Sequence, residues 1–212
     1  MSRIAIAFFI LFSSMAFAAT EKAFWEKDSP ELDKKLADRK IPVSVKSHQD
    51  ADKKHHLRLQ GIGEVSAPFT YSRKWTANFN HLSRVSDYVR EVKWNPISKV
   101  LYLHTEAFKF HARMRLKVNQ VDKEKTRDLQ FEVVQGVFTG MKGSLSVHQH
   151  GFAKSRVSID AHYYYTKWNI PKLFLEFGLE VVLQKFAERL RALLEKDFKE
   201  GKLPEPKLEK AQ

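Results

Sequence analysis

The chain has 212 residues, a formal net charge of +12 from 37 Lys and Arg against 25 Asp and Glu, and no cysteine. Without thiols there is no disulfide to brace the fold, no thiolate metal centre and no cysteine nucleophile, so stability has to come from a core. The length suffices for one well-formed domain, and the excess of cations favours anionic partners such as phospholipid headgroups or acidic polymers.

Arg3, an apolar run over 4–12 and the small-residue pattern Ala16-Phe17-Ala18 form the signature of an export signal cut after Ala18. The run is shorter than the roughly 20 residues that span a bilayer, so residues 1–18 are expected to be removed rather than to anchor the protein. The expected location is periplasmic or secreted.

Residues 19–56 read as an N-terminal extension packed on the domain. Ser29-Pro30-Glu31 opens a short helix ending near Arg39, Ile41-Pro42-Val43-Ser44-Val45 alternates like a brief strand, and 49–56 is a polar turn with His55 and His56 solvated.

A strand over 57–65 puts Leu57, Leu59, Gly63 and Val65 on one face and stops at Ala67-Pro68. Between 70 and 89, Trp75, Phe79, Leu82, Val85 and Val89 recur at helical spacing, which predicts one or two short helices before a second strand over 88–94. In 108–118 every even position is apolar and every odd one basic or imidazole, the period of a half-buried strand. Strands over 100–105, 129–134, 143–148 and 156–165 follow the same logic, and the short turns at 122–125 and 150–151 require antiparallel neighbours.

A long amphipathic helix closes the pattern, from near Asn169 to Phe198, with Leu173, Phe174, Phe177, Val181, Phe186, Leu190, Leu193 and Leu194 as its apolar stripe. The charged segment 199–212, with two prolines, is expected to be a disordered tail. The fold class expected is α+β: a curved antiparallel β-sheet whose apolar face is covered by the long C-terminal helix.

The phrase Gly61-Ile62-Gly63-Glu64-Val65-Ser66-Ala67-Pro68, a tryptophan-bearing helix, Val92-Lys93 entering a strand, Phe131-Glu132-Val133-Val134-Gln135-Gly136 and the final helix together resemble the START-like, polyketide cyclase and lipid-transport (SRPBCC) superfamily. The resemblance covers about 57–198. It implies a helix-grip fold, with a sheet wrapped around the helix and a cavity between them for lipids, sterols, quinones or aromatic polyketides. It implies no universal catalytic residue, and no cofactor is expected.

On strand parity the cavity lining would be Trp94, Phe108, Phe110, Met114, Phe131, Val133, Val157, Ile159, Tyr163 and, from the helix, Phe177. The same residues would equally fill a solid core. Lys109, Arg113, Arg115 and Lys117 form a cationic stripe on the opposite face, suited to docking on an anionic membrane or to solvation beside partners such as Glu132. His148, His150 and His162 lack an acidic residue to complete a metal set, and no metal is expected.

No nucleophile elbow, Walker loop, dinucleotide fingerprint or zincin helix occurs, which leaves Tyr163, His148 and Glu106 as the acid–base candidates if the protein is an enzyme. The region after Pro68 and the turn at 136–143, with Gly136, Gly140 and Gly143 free to bend, are candidate gates. Nucleic acid is disfavoured, because the aromatics fall on the core face where bases could not stack.

The leading reading is an exported protein that binds a hydrophobic small molecule or lipid noncovalently between sheet and helix. A basic interaction module with a filled core for an acidic envelope partner comes second, and a cyclase-like enzyme on an aromatic or polyketide substrate third. The sequence does not specify an oligomeric state.

Overall fold

The computed structural model describes residues 22–27, 29–49, 54–107, 110–166 and 172–202. The expected export signal, the tail from 203, Phe108, Lys109 and the side chain of Phe110 lie outside the described residues.

Among the described residues, eight strands form one antiparallel sheet: β1 (Val43–Gln49), β2 (His55–Val65), β3 (Val89–Asn95), β4 (Val100–Ala107), β5 (Phe110–Asp122), β6 (Thr126–Gly136), β7 (Lys142–His150) and β8 (Lys154–Tyr165). Their order is β1-β2-β8-β7-β6-β5-β4-β3. From β3 to β8 the chain meanders between neighbours, as the short turns require. The single long step is from β2 to β3 at the far edge, and it is made by two helices, α2 (Phe69–Ala77) and α3 (Leu82–Val85), joined by a 3-10 turn at Phe79–His81. A short helix α1 (Pro30–Ala37) precedes the sheet, and α4 (Lys172–Lys199) follows it.

Local chemistry explains these limits. Ser29 accepts a hydrogen bond from the Leu32 amide to start α1, with Pro30 in the first turn where it needs no donor. Pro68, in extended conformation, ends β2 and leads into α2.

The polar turn expected at 49–56 is shorter than its polarity indicated. β1 and β2 pair from Val43↔Gly61 out to Gln49↔His55, so His55 and His56 are strand residues and His56 is only 8 % exposed. Neighbouring rings cover them: His55 stacks on Tyr165, and His56 on Tyr164 and His162. The segment 43–49 is thus a full strand of the sheet.

The sheet has two chemically distinct faces. Odd positions of β2 and β8 and even positions of β5 carry the apolar face toward α4; Leu57, for instance, clusters with Leu179 and Leu183. On the outer face, Arg58, itself 6 % exposed, donates to both oxygens of Asp160, at 3.0 and 2.7 Å. His162 lies 3.4 Å from the same carboxylate and 2.9 Å from His56. Burial raises the Asp160 pKa, but the bonds from His162 and Arg58 outweigh it and bring the group from 3.8 down to about 2.

A carboxylate with a lowered folded-state pKa stabilises the fold above its unfolded value, and that contribution disappears as pH falls toward the folded value. Wild-type unfolding free energy should therefore drop by on the order of 2 kcal/mol through this group between about pH 4 and pH 2. In urea titrations across that range, Asp160→Asn should be weaker at neutral pH and show a shallower acid slope. An unchanged slope would remove Asp160 from the account of acid stability.

Candidate functional site

α4 is held by carboxylates near both of its ends and by apolar side chains between them. Near its start, Glu176 accepts a hydrogen bond from the Ser47 amide. Near its end, Glu195 accepts from the Ser66 amide at 2.7 Å and pairs with Arg39 at 2.7 Å. Asp197, 1 % exposed, accepts from Trp75 Nε1 at 3.0 Å and from both terminal nitrogens of Arg84 at 2.7 and 2.8 Å. Between these anchors, Leu179, Leu183, Phe186, Leu190 and Leu194 repeat every three or four residues, which keeps them on one side of the helix.

That apolar side does not close flush on the sheet. A cavity of about 250 Å³ lies between Phe186 and Leu190 of α4, the strand residues Leu101, Leu116, Leu129, Phe131 and Leu145, and the α2–α3 excursion with Trp75 and Phe79. A smaller space of about 60 Å³ continues under β2 and β8 beside Ile41, Gly63, Val157 and Ala187. Leu145, Ile159, Phe186 and Leu190 line both, so the two are adjoining compartments of one apolar interior. The larger is just below the roughly 300–1,000 Å³ typical of small-molecule pockets.

One glycine shapes this interior. A Cβ on Gly143 would stand 2.7 Å from Phe131 Cζ and 2.6 Å from the Asp160 carbonyl oxygen. Gly143 is the cross-strand partner of Phe131, and its missing side chain lets that ring lie over β7 at the cavity wall. It sits inside a strand, so close packing rather than bending explains it, whereas Gly136, the last residue of β6, and Gly140, in the turn that follows, have φ of +99° and +94°.

The expected lining residues separate into groups. Phe131 and Ile159 line the larger cavity, and Val157 and Ile159 the smaller. Trp94 packs on Phe79, ring centroids 4.7 Å apart, behind the cavity wall. Met114, Val133 and Tyr163 join a separate cluster around Met141 and Ala161. Phe177 is 66 % exposed. It precedes Leu179 by two positions, about 200° around a helix with 3.6 residues per turn, and so faces away from the sheet.

Leucine is the commonest residue of the larger cavity's wall, where the expectation favoured aromatics. Leu116 and Val118 share the inward parity of Met114, and Phe186 and Leu190 belong to the expected helix stripe, so parity and stripe were the signals that could have found them. Polar groups reach the wall from the α2–α3 excursion: Thr76, Asn78 and His81.

Arg113, Arg115 and Lys117 are exposed on the outer face of β5, with Lys117 opposite Glu132. The acid–base candidates do not converge. Tyr163 faces α4 within the cluster around Leu57, whereas His148 lies on the outer face beside Ser158 and Glu106 pairs with Arg90. Lys142 is the register partner of His162 and Arg156 that of His148. Six strand positions, about 20 Å, therefore separate the two histidines. No group of three potential metal ligands forms among the described residues.

The sequence profile of a family described as polyketide cyclase / dehydrase and lipid transport matches residues 74–191. The chain belongs to this family. Family membership points to a hydrophobic ligand, and the matched segment runs from α2 through β8 into α4, the elements that enclose the cavity. Among curated proteins none matches in sequence.

Solved structures share the START-like helix-grip fold. A START superfamily protein from Mycobacterium smegmatis is 14% identical with a TM-score of 0.55, covering 66% of this chain and 97% of its own. A STAR-related lipid transfer protein from Xanthomonas axonopodis is 12% identical with a TM-score of 0.54, covering 71% and 98%. Norcoclaurine synthase from Thalictrum flavum, solved with dopamine and hydroxybenzaldehyde, is 13% identical with a TM-score of 0.52, covering 76% and 92%. At such identities the likeness speaks to fold alone.

Gly143→Ala should force the Phe131 ring or the β8 backbone aside and destabilise the protein by about 1–3 kcal/mol, as overpacking does. Chemical denaturation checks this, and a change below about 0.5 kcal/mol would show that the site relaxes freely.

Proposed function

We propose that this is an exported binding protein that holds a hydrophobic ligand, with lipid the leading class, noncovalently between the sheet and α4. The observation that carries the reading is the apolar cavity of about 250 Å³ left between Phe131, Leu145 and Phe186 by a helix anchored near both ends. Empty space of this kind costs stability, because the atoms around it lose packing contacts that a guest would restore. A module with a filled core would gain nothing from keeping it. The scattering of Tyr163, His148 and Glu106 lends no support to acid–base catalysis.

The size of the space bears on the guest. A compact ring system or a short stretch of acyl chain suits it as it stands; a longer ligand would need the neighbouring compartment of about 60 Å³ as well.

Native mass spectrometry with organic extraction, on protein purified from its own host's envelope, tests the proposal. The expected result is a chain beginning at Ala19 with a stoichiometric apolar adduct. Leu103→Trp, which places an indole at the cavity wall, should remove the adduct while the thermal midpoint stays within several degrees of wild type. A wild-type protein free of any apolar adduct, or an adduct unaffected by Leu103→Trp, would contradict ligand binding in this cavity.

A further inference from the structure

The antiparallel meander puts three hairpin turns side by side at one end of the sheet: 96–99 between β3 and β4, 123–125 between β5 and β6, and 151–153 between β7 and β8. Turn positions ordinarily go to small or polar residues. Two of these turns present a large apolar side chain instead. Phe152 is 97 % exposed and Ile97 89 %, and no other large apolar side chain among the described residues is as exposed.

Local geometry holds both at the tips. Asn95 Oδ1 accepts from the amides of Ile97 and Ser98, at 3.0 and 2.9 Å, which closes the β3–β4 turn tightly beneath Ile97. His150 pairs with Lys154 and Gly151 has φ of +73°, so three residues join β7 to β8 and Phe152 is the middle one. This end of the sheet is also firmly mounted. Ser155 donates to Ser72 Oγ and Arg127 to the Arg73 carbonyl, each at 2.8 Å, which ties the beginnings of β8 and β6 to α2.

The strand order sets the β5–β6 turn midway between the other two, with Ile97 and Phe152 four strand spacings, about 19 Å, apart. Lys99, Lys123, Lys125 and Lys154 stand exposed on or beside these turns. Lys123 lies 3.8 Å from Asp128, and Lys154 lies 3.4 Å from Glu64, a carboxylate it shares with Arg156. Lys99 and Lys125 make no ion pair among the described residues. Asp122 accepts from Arg127 with both oxygens, which leaves Glu124 as the acid at the tips. The edge thus runs apolar tip, cationic turn, apolar tip.

Two apolar side chains this far apart, with lysines between them, offer no continuous apolar patch for a protein partner to pack on. A bilayer surface meets both features, because its interfacial zone takes in separate apolar side chains and its anionic headgroups attract the lysines. We propose that this end of the sheet docks on an anionic phospholipid bilayer, with Ile97 and Phe152 entering the interface and Lys99, Lys123, Lys125 and Lys154 among the headgroups. Docking here makes no demand on the contents of the cavity, so it can fail while ligand binding stands, and the reverse.

The probes are vesicles of phosphatidylglycerol and phosphatidylcholine in equal parts, and of phosphatidylcholine alone, sedimented with protein purified from its own host. The protein should bind the anionic vesicles, less so as salt is raised, and leave the neutral ones in suspension unbound. Ile97→Ser with Phe152→Ser should weaken binding about tenfold or more. Lys123→Ala with Lys125→Ala should weaken it about twentyfold, at about fivefold for each lysine near an anionic surface. All four positions are exposed, so the thermal midpoint should stay at the wild-type value. Phe152→Trp should bind like wild type and gain a component of fluorescence that brominated acyl chains quench.

No binding to the anionic vesicles would overturn docking altogether, and equal binding to both kinds would overturn the role of the lysines. Binding that survives the turn substitutions but is lost in Arg113→Glu with Arg115→Glu would overturn this end in favour of the outer face of β5. A dimer that Ile97→Ser with Phe152→Ser dissolves, in the absence of vesicle binding, would assign the edge to a second copy of the chain.

Discussion

The carboxylate of Asp197 is the constraint on which the arrangement turns. A buried charge is tolerated only when its hydrogen-bonding capacity is met, and removing one partner of such a pair costs about 3–5 kcal/mol. Asp197 meets the requirement with Arg84 and with the indole of Trp75, residues more than a hundred positions earlier in the chain. The end of α4 and the α2–α3 excursion therefore have to come together for either to be stable. Once they do, the excursion must lie under the helix end, closing the space between helix and sheet on that side.

The rest of the interior follows from this fixed point. Glu176 and Glu195 hold α4 to Ser47 within β1 and to Ser66 just after β2. From Glu176 to Asp197 the helix rises about 30 Å, and over that distance its contacts with the sheet are apolar and adaptable. Polar anchors are directional and fix where the helix ends lie; side chains such as Phe186 and Leu190 impose no such geometry. A helix fixed at its ends over a curved sheet leaves space beneath its middle, and Gly143 adds to the effect by letting Phe131 lie against the strand behind it.

How much of this was legible in the sequence depended on the range of the interactions. Period-two alternation located the strands and their faces, and Leu116 and Val118 point inward as their parity required. The helical stripe of 172–199 predicted Phe186 and Leu190 but not the phase at its start, where Phe177 falls two residues off the line of Leu179 and Leu183 and faces outward. His55 and His56 read as turn residues because their polarity is that of a turn. What makes them strand residues is cover from Tyr164, Tyr165 and His162, more than a hundred positions away. The Asp197–Arg84–Trp75 junction has no local pattern at all. The one hint was that residues 69–85 contain Arg73, Lys74 and Arg84 and no acid, so a carboxylate for them had to come from elsewhere.

The central claim is that the space under α4 is a dry site kept for an apolar guest. A crystal structure of the protein isolated from its own host tests it directly. The expected result is continuous density, not attributable to water, among Phe131, Leu145 and Phe186. Side chains collapsed together with no room between them, or a chain of ordered waters in that space, would contradict it.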